Sequence, residues 1–104
     1  DMNAISKTLY EAWGPVVSKK AFVHYPANSF PLQTLELKDD THFNTYGAYE
    51  LAKCMVQGLK DLQHPLAMYL LPNLPVFDPA KPDDPAIFYW PLSTHISAIK
   101  PDGN

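Results

Sequence analysis

The sequence predicts an α/β fold of which the chain carries only part, and three observations support that expectation. Two segments, one at the N-terminus and one from 44 to 61, show helical apolar periodicity. Between them, Ala21-Phe22-Val23 and Leu35-Glu36-Leu37 supply only strand-sized pieces. From residue 65 onward prolines recur too densely for long helices or central strands, with eight of the eleven in residues 65–101. Each apolar helix stripe needs a covering layer, and the strands of a covering sheet are largely missing from the chain.

Taken in order, Asp1 to Trp13 reads as a helix. Ile5, Leu9, Ala12 and Trp13 fall at i, i+4, i+7 and i+8, one apolar stripe with Lys7 and Glu11 on the other side. Gly14-Pro15 stops it. Ser18-Lys19-Lys20 is a polar turn, and Ala21-Phe22-Val23 is too short to assign firmly to a strand. From His24 to Lys38 the prolines, Asn28 and Ser29 follow no period, which reads as an ordered surface loop, with Leu35 and Leu37 adding two or three extended residues. The second helix begins with Asn44 or Thr45 as N-cap and ends near Lys60-Asp61. Ala48, Ala52, Met55, Val56 and Leu59 form its expected buried stripe, with Glu50 and Lys53 paired on the solvent side. Leu66 to Leu71 can make a short helical turn, and the rest of the tail is extended. This divides the chain into residues 1–63, with the helices and the polar turn, and residues 64–104, a Pro- and aromatic-rich tail packing on them.

Composition excludes several function classes. With 104 residues and 46% hydrophobic content, the chain is one modest domain at most. A formal net charge of −3, with scattered lysines, argues against nucleic acid as a partner. No apolar run approaches the roughly 20 residues of a membrane-spanning helix. The single cysteine, Cys54, cannot form an internal disulfide and reads as a buried, inert thiol. The chain opens at Asp1, so the lack of a leader carries no information.

The chemistry concentrates in Asp39-Asp40-Thr41-His42, placed just before the second helix. An imidazole is the natural base near neutral pH, and it works best when one nitrogen is fixed by an acceptor and the other faces a nucleophile. A carboxylate three residues before the histidine can fold back on it, which assigns Asp39 as orienter and His42 as base. Asp40 is expected to face solvent or cap the turn. A surface turn capping the following helix is the competing reading of the same spacing. His24 could approach His42 and form a metal pair with Asp39 or Asp40, but too few ligands stand at defined spacings, so a structural histidine is expected and no metal or cofactor. His64 and His95 read as exposed. Ser93 or Ser97 beside His95 makes a poor nucleophile–base pair. Phe88-Tyr89-Trp90 offers flat faces to a sugar, though packing onto the domain is the expected use.

The run from Asp39 to Ala52 also resembles the C-terminal catalytic block of the SGNH, or GDSL-type, hydrolases, in the carbohydrate-esterase branch around rhamnogalacturonan acetylesterase. Asp39, His42, Gly47, Ala48 and Ala52 match that block position by position. The likeness is specific over residues 39–53, looser over 1–38, and absent beyond 61. It implies a three-layer α/β/α, flavodoxin-like fold, a Ser-His-Asp triad and hydrolysis of O-acetyl esters on an acetylated polysaccharide, without a metal. It also implies a secreted or periplasmic parent protein.

The family's serine in its Gly-Asp-Ser block, and its oxyanion-hole blocks, have no counterpart here. Ser6, Ser18, Ser29, Ser93 and Ser97 are the only serines, and none has that context. Without oxyanion donors the largest electrostatic contribution is absent. The expectation is therefore the C-terminal part of a serine acetylesterase, inactive as an isolated chain. The alternative is a non-catalytic interaction or scaffold module. Self-association is expected under both, because uncovered apolar stripes and sheet edges seek partners.

Overall fold

Asp1 starts the first helix by accepting hydrogen bonds from the amides of Asn3 and Ala4, two donors with no partner inside the helix. The computed structural model describes residues 1–89. Residues 90–104, among them Trp90, Ser93, His95 and Ser97, lie outside the described residues. Helix α1 runs Met2–Val17 and is interrupted at Gly14, whose φ of 63° and ψ of −176° are open chiefly to glycine. Pro15 follows, so the helix bends at the dipeptide expected to end it. A 3-10 turn, Ser18–Ala21, then leads into β1 (Phe22–Tyr25). Leu9 and Trp13 are buried on the inner side of α1, whereas Ala12, expected beside them, is exposed.

Strand β1 pairs antiparallel with β2 (Leu37–Phe43), so the expected loop gives up both ends to a two-stranded sheet. Pairing aligns Tyr25 with Leu37, His24 with Lys38 and Val23 with Asp39, then jumps to Phe22 with Phe43. Asp40, Thr41 and His42 therefore have no partner on β1 and form a bulge. The polar turn is real, but it is set within a strand. Phe22 stacks on Phe43 at 4.6 Å between ring centroids, closing the sheet beyond the bulge.

Helix α2 spans Thr45–Asp61. Its N-cap, Asn44, accepts from the Gly47 amide and donates from its side-chain amide to the carbonyls of Lys20 and Phe22. One residue thus caps the helix and ties it to the start of β1. The helix approaches so closely that a Cβ on Gly47 would lie 2.1 Å from the Ala21 carbonyl oxygen. The last turn closes with Gln63 at φ 47°, its amide bonded to Lys60 O and that of His64 to Leu59 O.

The buried side of α2 differs from the expected one. Tyr46, Gly47, Glu50 and Cys54 are buried, while Ala48, Ala52 and Met55 are exposed. Glu50, expected on the solvent side, is 0% exposed. Its Oε2 accepts from the Asp83 amide at 3.2 Å, and Lys53 pairs with both Glu50 and the Asp83 carboxylate. Burial pushes the Glu50 carboxyl above its ordinary value, opposed by Lys53.

After a 3-10 turn at Pro65–Tyr69 the chain returns along α2 in the opposite direction. Lys60 donates to the carbonyls of Leu74 and Pro75, and Gln57 accepts from the Phe77 amide. Tyr46 donates to Asp83 O, and Phe88 packs against the rings of Tyr46 and Tyr49. The core cluster of Leu9, Trp13, Ala21, Tyr46 and Cys54 is thus closed on one side by Phe77 and Phe88. Inside it Trp13 Nε1 donates to the Tyr46 hydroxyl at 2.8 Å. Burial pushes that hydroxyl's pKa up to about 12. Among the described residues no helix is long and apolar enough to cross a membrane.

Candidate active site

The β2 bulge presents Asp39 and His42 together. Asp39 Oδ1 accepts from the amides of Thr41 and His42, at 2.7 and 2.9 Å, which folds the bulge back on its own first residue. The second oxygen, Oδ2, lies 2.7 Å from His42 Nδ1. One carboxylate therefore shapes the backbone and grips the ring. The backbone amides of His42 and Thr41, with the His42 ring, hold the Asp39 carboxyl at a pKa of about 2.

That value fixes the tautomer by elimination. An ionised carboxylate only accepts, so the hydrogen of the Asp39–His42 bond sits on Nδ1. In the neutral ring Nε2 then carries the free lone pair, and the His42 side chain is 76% exposed. Among the described residues no serine hydrogen-bonds to His42; Ser6 and Ser29 donate instead to Asn3 O and Pro26 O. A proton acceptor is oriented and accessible.

Asp40 is mostly exposed, at 82%, yet it is neither free nor a helix cap. Its Oδ1 lies 2.6 Å from Nε2 of His24, on β1. His24 thus meets Asp40 across the sheet, a histidine tied into the structure. The adjacent carboxylates serve two histidines, Asp39 gripping His42 and Asp40 gripping His24. Strand alternation, which sends neighbouring side chains to opposite sides, was the available signal for this second pair. Among the described residues no three His, Cys, Asp or Glu side chains are grouped to hold a metal ion.

An open groove of about 950 Å³ runs between α1 and the bulge, its walls including Tyr10, Glu11, Phe22, Asp40, Thr41 and Phe43. His64 is exposed, and its Nδ1 accepts from the Leu66 amide, which caps the 3-10 turn. Phe88 turns inward to Tyr46, whereas Tyr89 is exposed.

Comparison with known proteins bears out the resemblance and extends it, since a match of 71 residues must reach past residue 61, where none was expected. The chain is 41% identical over 71 residues to the rhamnogalacturonan acetylesterase RhgT of Bacillus subtilis. The matched stretch is 68% of this chain and 31% of that protein, so the chain spans about a third of the length of the curated relative it matches. No family model matches the chain, and no solved structure matches it at a significant level.

Proposed function

We propose that the chain supplies the base and its orienting carboxylate, His42 and Asp39, to a serine esterase that removes O-acetyl groups from a rhamnogalacturonan-type polysaccharide. The observation that carries the reading is the 2.7 Å bond between Asp39 Oδ2 and His42 Nδ1, with Nε2 turned to solvent. The similarity to a rhamnogalacturonan acetylesterase supplies the substrate class. In this reading the attacking serine and the oxyanion donors belong to polypeptide outside these residues, and the complete unit is a three-layer α/β/α fold.

The mechanism follows from the pair. Nε2 of His42 takes the proton as the serine Oγ attacks the acetyl carbonyl, and Asp39 stabilises the imidazolium that forms. The same nitrogen returns the proton to the departing sugar hydroxyl. Water, deprotonated by His42 in turn, then releases acetate and restores the serine. Self-association of the chain is part of the proposal, supported by the exposed apolar row Leu66, Met68, Tyr69 and Leu71.

Acetate release from acetylated rhamnogalacturonan tests the assignment. The chain alone should release none above the buffer rate. Joined to a segment bearing the Gly-Asp-Ser block it should turn over, with kcat falling about a thousandfold or more in His42→Ala. Turnover by the chain alone that disappears in His42→Ala would place the nucleophile within it. Undiminished turnover of the joined His42→Ala protein would remove His42 from catalysis.

A further inference from the structure

We propose that His24 is a positioning residue for His42, acting through Asp40. The inference rests on the reading of His42 as the base. It starts from the jump in strand register: three consecutive residues, Asp40, Thr41 and His42, stand between two aligned pairs with nothing opposite them on β1. Such a segment lacks ladder bonds of its own and depends on side chains for its shape. At its origin Asp39 binds the two amides and the ring of the same bulge. Those bonds are all local. They fix the bulge's internal shape but not its place over the sheet.

Between the paired ends at Asp39 and Phe43, the bulge is tied across to β1 by Asp40 to His24, 2.6 Å long and sixteen residues apart in sequence. The two partners are unequal. The His24 side chain is 21% exposed and anchored in β1, while that of Asp40 is 82% exposed. The covered ring is the fixed end and the bulge carboxylate the held one. A carboxylate accepts, so His24 Nε2 carries the proton of this bond. Because Asp40 follows Asp39 directly, holding its side chain limits rotation of the peptide that also aims Asp39 at His42. Removing either end of the link leaves the bulge held only at its paired ends, and misplacement of about 1 Å in such a group costs on the order of a hundredfold in rate.

The test reads the His42 ring directly in the full chain, by nitrogen NMR of its tautomers, together with amide exchange at Thr41 and His42. In the unaltered protein the Nδ1–H tautomer should dominate. His24→Phe and Asp40→Leu should each admit the Nε2–H tautomer and speed exchange of the two amides about tenfold or more. In Asp40→Leu, on the exposed bulge, the melting temperature should stay within about 2 °C, as for surface substitutions of small energetic effect. His24→Gln, whose amide can still donate to Asp40, should restore the original tautomer. If His24→Phe unfolds the chain, Asp40→Leu on the exposed bulge decides. Tautomer and exchange unchanged in Asp40→Leu, while Asp39→Asn alters both, would overturn the proposal. None of these readouts needs turnover, so failure of the esterase reading and failure of the His24 inference are separable.

Discussion

Asp39 uses both oxygens at once, and its ionisation follows from that arrangement. Its folded pKa of about 2 lies below the roughly 3.9 of an unperturbed aspartate. A depressed carboxyl contributes stability that is complete above the unfolded value and lost as pH falls through the folded one. The bulge should therefore hold its shape through mild acid and open near pH 2. Carbon NMR of the Asp39 carboxyl should show a midpoint near pH 2, and a midpoint near 4 would contradict the bond set described. This pair was legible in the sequence because its partners stand three residues apart on one turn. For Asp40, alternation could separate its side from that of Asp39 but not name His24, since which residue meets a bulge is decided by strand register.

At the scale of elements, α2 shows how a polar residue misleads a periodicity argument. Its existence and both ends could be read from Asn44, the apolar repeat and Lys60-Asp61. Its rotation could not. A helix read with Glu50 outward puts Ala48, Ala52 and Met55 inward, whereas the fold buries Glu50 because Asp83 and Lys53 meet it. The partner amide is 33 residues downstream, beyond the reach of any local pattern. Gly47 was singled out by resemblance alone, and the fold supplies its physical reason in the contact with the Ala21 carbonyl. Gly47→Ala must push α2 away from that backbone, so urea unfolding should show a loss of about 1–3 kcal/mol. At Ala48, which is exposed, the reverse change to glycine should cost about 1 kcal/mol through helix propensity alone. A neutral Gly47→Ala would refute the close approach.

For the molecule as a whole, the balance of apolar surface matters most. Among the described residues the buried hydrophobic core is five residues, while Met55, Leu62, Leu66, Met68, Tyr69 and Leu71 are exposed. Surface of that kind is favourable to cover, at about 25 cal/mol per Å². Light scattering should accordingly return masses of at least twice the chain at micromolar concentrations, reduced toward the monomer by Leu66→Glu with Met68→Glu. A monomer at every concentration would rule the association out. The α/β character was visible in the sequence, and the aromatic content of the tail pointed to packing. The antiparallel sheet and the path of residues 74–88 along α2 were not visible, because proline density says where regular structure ends and not where the chain goes.

That returning path has a consequence for synthesis. When Glu50 leaves the ribosome Lys53 follows it closely, but the Asp83 amide, 33 residues later, has still to emerge. At about 5–20 residues per second, Asp83 is added roughly 2–7 s after Glu50, for a separation of 33 residues. During that interval the carboxylate retains its water, and the Trp13–Tyr46 cluster has neither Phe77 nor Phe88 to close it. The Asp39–His42 bonds join neighbouring residues and so are all available before Phe77 and Phe88 reach the core.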